Sequence, residues 1–146
     1  MDKYEKRVLY TGIVLMAIFL GAILYSSKVM GDDLPECLPG DALAYDKGEV
    51  TQLDEKTYQI KYIAKMWAFE PRVVEIPRGA EVDIFLTSKD VVHGFLIENT
   101  TVNMMAVYGA LNKITYRFDK PGTYRIVCHE YCGVGHQDMA GVIIVK

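Results

Sequence analysis

The chain has 146 residues, which allows one ordinary domain with a short additional element and excludes two full-sized domains. Hydrophobic residues make up 51% of it, the upper edge of the range for soluble proteins. Residues 29–146 hold 12 basic and 17 acidic residues, a net charge of −5 that disfavours nucleic acid as a partner and favours a cationic one.

The hydrophobic residues are concentrated near the N-terminus. Residues 8–27 contain no charged side chain, and as a helix rising about 1.5 Å per residue they span roughly 30 Å, the thickness of a bilayer core. A cleaved signal peptide has a shorter apolar region and a small-residue cleavage site, and YSSK at residues 25–28 does not provide one. A buried core helix is less suited to an unbroken apolar surface. We therefore predict a transmembrane anchor over residues 1–28.

Charged residues on the two sides of this run predict its orientation. Lys3, Lys6 and Arg7 precede it, whereas acidic residues dominate the segment that follows Lys28. The positive-inside rule then places the N-terminus in the cytoplasm and the remaining chain outside the membrane.

The rest of the chain reads as a linker followed by short strands. Residues 29–57 are rich in Gly, Pro and Asp, which predicts a linker with turns. Beyond it, short apolar runs alternate with turn signals, a pattern typical of an antiparallel β-sandwich. The predicted strands are residues 58–65, 73–76, 82–86, 91–97, 113–119, 124–128 and 141–145. The predicted fold class is all-β behind one helix.

The segment between the last two predicted strands carries a dense set of metal-binding side chains. Cys128, Cys132, His136 and Met139 follow the spacing C-x-x-x-C-x-x-x-H-x-x-M, and two glycines within it disfavour a continuous helix. A second imidazole, His93, belongs to an upstream strand, and neighbouring strands of a sandwich can bring it to this loop. The five side chains together predict a metal site.

The donor types indicate copper. Thiolates, a thioether and imidazoles favour soft metal ions over hard cations. One Cys with two His and a weak Met would hold a single copper ion, whereas two thiolates can bridge two copper ions that each end on one His. Sharing one electron between two ions reduces the bond-length change at each and thus the reorganisation cost. The site would transfer electrons and have no open position for a substrate.

Other uses of the cysteines remain open. A structural zinc site usually has C-x-x-C pairs and no Met, and a thiol-redox motif has C-x-x-C beside a βαβ pattern. A disulfide between Cys128 and Cys132 would leave the two His and Met139 unexplained. Cys37 follows Glu36 rather than a small residue, which argues against lipid attachment, so we predict a free thiol, with an intermolecular bond as the alternative.

The segment C-x-E-x-C-G-x-x-H-x-x-M, with V-V-H-G-F around His93, resembles the CuA cupredoxin domain of cytochrome c oxidase subunit II. The likeness extends to F-x-P at 69–71, I-P-x-G at 76–79 and P-G-x-Y at 121–124, and so covers most of residues 58–146. It implies a Greek-key cupredoxin sandwich holding two copper ions, the CuA centre. By motif position, the bridging thiolates would be Cys128 and Cys132, the imidazole ligands His93 and His136, the thioether Met139, and the carbonyl ligand the main chain of Glu130.

The resemblance also implies partners and a reaction. Cytochrome c would dock outside the membrane, and the CuA centre would pass its electron to a haem in subunit I of a haem–copper oxidase. Oxygen would be reduced to water there, with proton pumping, and none of that chemistry would lie on this chain. Most family members have two transmembrane helices, whereas this sequence predicts one, as in the compact B-type branch of bacterial and archaeal oxidases.

Four further residues receive predictions of narrower scope. Trp67 lies near the region through which family members accept electrons, although packing at the rim of a sandwich is also an ordinary role for Trp. Met104 and Met105 could line an apolar docking patch or fill the core. The Glu130 side chain matches the family position that holds magnesium at the border with subunit I.

Other classes of function remain to be weighed. A quinol oxidase subunit keeps this fold but lacks the copper ligands, and nitrous oxide reductase needs a large additional domain. A membrane-tethered copper-delivery protein would favour mobile, exposed ligands, and a purely structural subunit would have no use for six of them.

Overall fold

A computed structural model of the chain describes residues 2–30, 36–38 and 45–146, with only the backbone described for Met30 and Cys37. The predicted free thiol of Cys37 therefore lies outside the described side chains. The chain divides into two compact units, Met1–Asp33 and Leu34–Lys146.

The first unit is a single helix, α1 (Lys3–Met30). It begins with a capping box: Asp2 Oδ1 accepts hydrogen bonds from the backbone N–H of Tyr4 and Glu5, at 2.7 and 2.8 Å, and Glu5 Oε2 accepts one from the Asp2 N–H. At about 1.5 Å per residue its 28 residues extend about 42 Å. Within the described residues it is the one helix long and apolar enough to span a membrane, with a mean hydropathy of 2.3.

The second unit is a β-sandwich whose first sheet contains six strands: β1 (Glu36–Leu38), β2 (Glu49–Gln52), β3 (Thr57–Lys65), β4 (Ala68–Glu70), β6 (Ala80–Ser88) and β9 (Leu111–Phe118). Their spatial order is β1-β9-β6-β3-β2, and β4 pairs with the end of β3 beyond β2. A 3₁₀ turn, His136–Asp138, lies outside both sheets.

The second sheet contains five strands: β5 (Val73–Ile76), β7 (His93–Ile97), β8 (Asn103–Ala106), β10 (Gly122–Val127) and β11 (Ala140–Val145). Their order is β5-β11-β10-β7-β8. β10 therefore lies between β11, which continues the chain after the predicted metal loop, and β7, which begins at His93. This order places His93, the predicted side-chain ligand that is not on the loop, beside the loop.

The core lies between the two sheets and follows the two-residue period of their strands. β6 buries Ala80, Val82, Ile84 and Leu86, and β11 buries alternate residues in the same way. Phe95 of the second sheet packs against Tyr62 and Phe69 of the first, with ring centroids 5.0 and 5.2 Å apart. These aromatic contacts join the two sheets at β7, the strand that carries His93.

The predicted all-β class with one N-terminal apolar helix is confirmed, and the strand directions differ in part. β3 pairs with β6, and β5 with β11, in parallel rather than antiparallel fashion. The reason is the path of the chain: after β3 and β4 it crosses to β5 in the other sheet and returns as β6, so β6 runs in the same direction as β3. Within residues 29–57, where the sequence predicted a linker, β1 pairs with β9 and β2 with β3.

Candidate metal centre

The predicted ligand loop is the connection between β10 and β11. The backbone N–H of Cys128 donates to the carbonyl of Met139 at 3.3 Å, next to the Val127–Ala140 strand pair, so the loop closes on itself at its base. The 3₁₀ turn His136–Asp138 brings the chain back toward Cys132 before β11 begins. Cys128 and Met139, which are eleven positions apart in the sequence, are thereby held side by side.

The sulfur atoms of this loop converge on Cys132. Its Sγ lies 3.7 Å from the Sγ of Cys128, 3.8 Å from the Sδ of Met139 and 3.6 Å from the Nδ1 of His136. The Sγ of Cys128 lies 3.3 Å from the main-chain carbonyl oxygen of Glu130. Cys132 and Met139 are buried, Cys128 and His136 half-buried. The soft donors are therefore largely shielded from solvent by the protein.

His93 completes the cluster from the neighbouring strand. Its ligand atom lies within 4.8 Å of both thiol sulfurs, and its side chain is fully buried. Its Nε2 lies 2.7 Å from Asp90 Oδ1, whereas its Nδ1 has no hydrogen-bond partner among the described residues. A buried polar atom without a partner is costly in a folded protein, and a metal ion beside the sulfurs would satisfy it. The residues therefore fit a soft metal ion.

Asp90 is held by several donors besides His93. Its Oδ2 accepts a hydrogen bond from the backbone N–H of Met66 and its Oδ1 one from the N–H of Val91, both at 2.7 Å. Burial acts to raise the pKa of this carboxyl, but the hydrogen bonds from His93, Met66 and Val91 outweigh it and hold the pKa below its ordinary value. Asp90 is therefore ionised at neutral pH and can only accept hydrogen bonds.

The pKa of the Cys132 thiol is raised, whereas that of Asp90 is lowered. Burial, and then the hydrogen bond and charge of Cys128, raise its pKa from 9.0 to about 11. Without a cation the thiol is therefore protonated at neutral pH. A bound metal ion would favour the thiolate, so metal uptake releases protons here.

Trp67 lies against the ligand loop. Its Nε1–H donates to the carbonyl of Cys132 at 3.0 Å, and its ring covers two glycines: a Cβ on Gly135 would come within 2.6 Å of it, and one on Gly133 within 3.2 Å. Gly133 also has a φ of +114°, which other residues rarely adopt. The two glycines that the sequence read only as helix breakers thus allow the indole to lie on the loop while 43% of Trp67 remains exposed.

The side chains of His129 and Glu130 make their contacts outside the sulfur cluster. The His129 ring stands over Gly94 of β7, and its Nε2 lies 2.8 Å from Asn103 Oδ1. The Glu130 carboxylate is 3.7 Å from His129 Nδ1, so only the main chain of Glu130 approaches Cys128. Met104 is buried and fills the core, whereas Met105 is 38% exposed, as the docking patch predicted from the sequence would require.

All six predicted ligand positions come together in the structure. The contribution that sequence reasoning missed is Asp90, although it was visible as an acidic residue three positions before His93, in the bend that precedes β7. An Asp at that spacing is common enough in turns that only the folded geometry shows which atom it contacts.

Comparison with known proteins agrees with this geometry. The sequence profile of the family "Cytochrome C oxidase subunit II, periplasmic domain" matches residues 41–146. Cytochrome c oxidase subunit 2 of Thermus thermophilus is 32% identical in an alignment of 154 positions, which covers 98% of this chain and 92% of that protein.

Solved structures extend the likeness to the fold. A chain in a cryo-EM structure of a heme-copper terminal oxidase dimer superposes with a TM-score of 0.87 at 40% identity, covering 99% of this chain and all of that one. Reduced rusticyanin superposes with a TM-score of 0.54 at 19% identity over 77% of this chain and all of that one, which is a likeness of fold alone.

The fold and the soft donor set together define a cupredoxin-type domain that follows an apolar helix. The chain belongs to the cytochrome c oxidase subunit II family, as a subunit of a haem–copper terminal oxidase, which is an oxidoreductase complex. Its partners include subunit I of that complex, and copper is the metal that the family implies.

Proposed function

We propose that the chain is the electron-accepting subunit of its oxidase and that it holds a binuclear CuA centre. The side chains of His93, Cys128, Cys132, His136 and Met139 would be the ligands, with the main-chain carbonyl of Glu130. The observation that carries the proposal is the convergence of four donor atoms within 3.8 Å of Cys132 or Cys128, beside a buried imidazole nitrogen without a partner.

The two thiols are the feature that favours two metal ions over one. Their sulfurs are 3.7 Å apart, which allows both to contact the same pair of ions, whereas a mononuclear copper site needs one thiolate. When bound, the copper pair would supply one-electron redox chemistry. The protein would contribute the remainder: burial of Cys132 and Met139 would limit the access of water, and the hydrogen bond at the base of the loop would help to hold the donors in place.

A metal count and a spectrum test the proposal. The full chain, reduced and metal-free in detergent, is loaded with copper and measured for metal content and electron paramagnetic resonance. We expect two copper ions per chain that share one unpaired electron equally. One copper ion with a localised electron, or a preference for zinc, would contradict the proposal. The Cys37→Ser variant is the control, because the sequence predicts no ligand role for that thiol.

We further propose that cytochrome c delivers the electron at the surface formed by Trp67 and the ligand loop. Trp67 contacts Cys132 through its Nε1–H, and Tyr131 and Val134 of the loop are 81% and 82% exposed. These side chains form an apolar surface beside the donors, which suits contact with the apolar rim of a partner more than ion pairing. Electron transfer from cytochrome c should then depend only weakly on ionic strength, and a steep fall with added salt would indicate electrostatic docking.

The membrane arrangement completes the proposal. Helix α1 would cross the bilayer of a bacterial or archaeal cell once, with Lys3, Lys6 and Arg7 in the cytoplasm and the copper domain on the outer, periplasmic side. A protease added outside spheroplasts should remove the domain, and protection from it would reverse the orientation. One apolar helix among the described residues, and a Thermus relative of nearly the same extent, support membership of the compact B-type branch.

A magnesium role for Glu130 is the last component. Its carboxylate is exposed and lies 3.7 Å from His129 Nδ1, where ligands from subunit I could complete a site. In the intact oxidase, Glu130→Gln should lower the content of bound magnesium or manganese without changing the copper content. An unchanged content would exclude the role.

A further inference from the structure

The carboxylate of Asp90 connects His93 to another part of the site. Both carboxylate oxygens of Asp90 accept backbone hydrogen bonds, from Val91 at Oδ1 and from Met66 at Oδ2, so the 2.7 Å contact between Oδ1 and His93 Nε2 places the ring proton on Nε2. The lone pair of His93 is then on Nδ1, the buried nitrogen that has no partner among the described residues. One hydrogen bond thus determines which nitrogen is available to a metal ion.

We propose that Asp90 is a positioning residue for the copper centre. It would hold His93 in the tautomer and ring orientation that ligation requires, and it would tie this ligand to the turn that carries Trp67. The inference rests on the copper role proposed above. It concerns how the chain prepares one ligand before the metal arrives, since the hydrogen bond is formed by protein atoms alone.

The link to Trp67 runs through the second carboxylate oxygen. Asp90 Oδ2 accepts the backbone N–H of Met66 at 2.7 Å, and the next residue, Trp67, donates to the carbonyl of Cys132 at 3.0 Å. The chain of contacts therefore starts at one ligand, His93, and returns to another, Cys132. A change at Asp90 should alter both the environment of the indole and that of His93.

Asp90 also belongs to a turn, and a purely local role is the competing explanation. The backbone N–H of Asp90 donates to Ser88 Oγ at 3.1 Å, and Asp90 Oδ1 accepts from Val91 N–H, which would stabilise the turn whether or not a metal binds. The local role predicts a change in stability only. The positioning role predicts a change in metal affinity and in the reduction potential.

The test compares Asp90→Asn with a matched carboxylate away from the site. Asp83 has a similar side-chain exposure, 25% against 24%, and its Oδ1 accepts from Thr115 Oγ1 and pairs with Lys113. We expect Asp90→Asn in the full chain to weaken copper binding about 10- to 100-fold in a chelator competition, the usual cost of losing such a partner. The potential should rise, because a neutral amide makes the imidazole a weaker donor to the oxidised centre, and Trp67 fluorescence should shift. Asp83→Asn should leave all three unchanged.

A second measurement uses the wild-type chain and decides the question even if Asp90→Asn does not fold. In the metal-free chain, kept reduced, nitrogen NMR of labelled histidine should show His93 protonated at Nε2, with a proton that exchanges slowly with water. Protonation at Nδ1, or rapid exchange of the Nε2 proton, would overturn the inference.

The outcomes for the two proposals can be told apart. A wild-type chain that fails to bind two copper ions with a shared electron refutes the proposed function. If the wild type binds them and Asp90→Asn matches Asp83→Asn in affinity and potential, only the positioning role of Asp90 is refuted.

Discussion

Replacing Gly135 by alanine places a methyl group against the Trp67 indole. The new Cβ would lie 2.6 Å from Cδ2, 2.7 Å from Cγ and 2.9 Å from Cε3 of that ring. Cγ is the first ring atom after the Trp67 Cβ, so a small rotation of the ring cannot remove the overlap. Gly135 has φ −94° and ψ 14°, a conformation that residues other than glycine also adopt in turns, so the substitution tests mainly the contact with the indole.

The magnitude follows from the contacts that must change. If the indole moves off the loop, its 3.0 Å hydrogen bond to the Cys132 carbonyl is lost, which costs about 0.5–1.5 kcal/mol. If the indole stays, the loop is overpacked, which typically costs about 1–3 kcal/mol. Trp67 is partly exposed and can relieve some of the strain, so we expect the free energy of unfolding of the metal-free chain to fall by about 1–3 kcal/mol.

A double-mutant cycle isolates the contact. The metal-free full chain in detergent, with reductant present, is unfolded by guanidinium and followed by circular dichroism for Gly135→Ala, Trp67→Ala and the double variant. Because the chain has 1 Trp, fluorescence of Gly135→Ala also reports directly on Trp67. In the Trp67→Ala background, alanine at position 135 should be nearly neutral, which gives a coupling free energy of about 1–3 kcal/mol.

Gly133→Ala provides the comparison. Its φ of +114° strains any side chain, so it should destabilise the chain with or without Trp67. A coupling between Gly135 and Trp67 below about 0.5 kcal/mol, the limit at which independent sites add, would show that the indole does not lie on the loop as described.

Three further outcomes are expected. Cys132→Ser should abolish the spectrum of an electron shared between two copper ions, because one bridging thiolate is lost, whereas Cys37→Ser should keep it; an unchanged spectrum in Cys132→Ser would refute the ligand assignment. Met139→Leu should retain copper, change the reduction potential and cost less than about 1.5 kcal/mol of stability, since the buried volume is conserved, and complete loss of copper would mean that the thioether is essential. The metal-free chain should lose stability as the pH rises from 9.0 to about 11, because the Cys132 thiol ionises at a lower pH in the unfolded state than in the folded state. This loss of stability should be absent from Cys132→Ser, and the same pH dependence in the wild type and the variant would contradict the prediction.

Local patterns were enough to predict much of the fold and most of the site. The uncharged run at residues 8–27 is helical within α1, and the predicted strands from residue 58 on correspond to β3, β5, β6, β7, β9, β10 and β11. The loop ligands could be predicted together because a short connection between paired strands cannot separate them. The strands that were missed, β1, β2, β4 and β8, have 3–4 residues each, too few for a two-residue period to be distinct.

The distances between remote segments were decided by the tertiary structure alone. His93 reaches Cys128 because β7 pairs with β10, and Trp67 reaches Gly135 because the turn after β3 lies over the ligand loop. Asp90 acquires its role only because Met66 and His93 present N–H groups to its two oxygens. The sequence by itself determined which donor atoms the chain carries and therefore which metal it favours. Which imidazole nitrogen is left for a metal ion depends on the Asp90 carboxylate, and the N–H of Met66 that holds this carboxylate comes from a segment remote in the sequence.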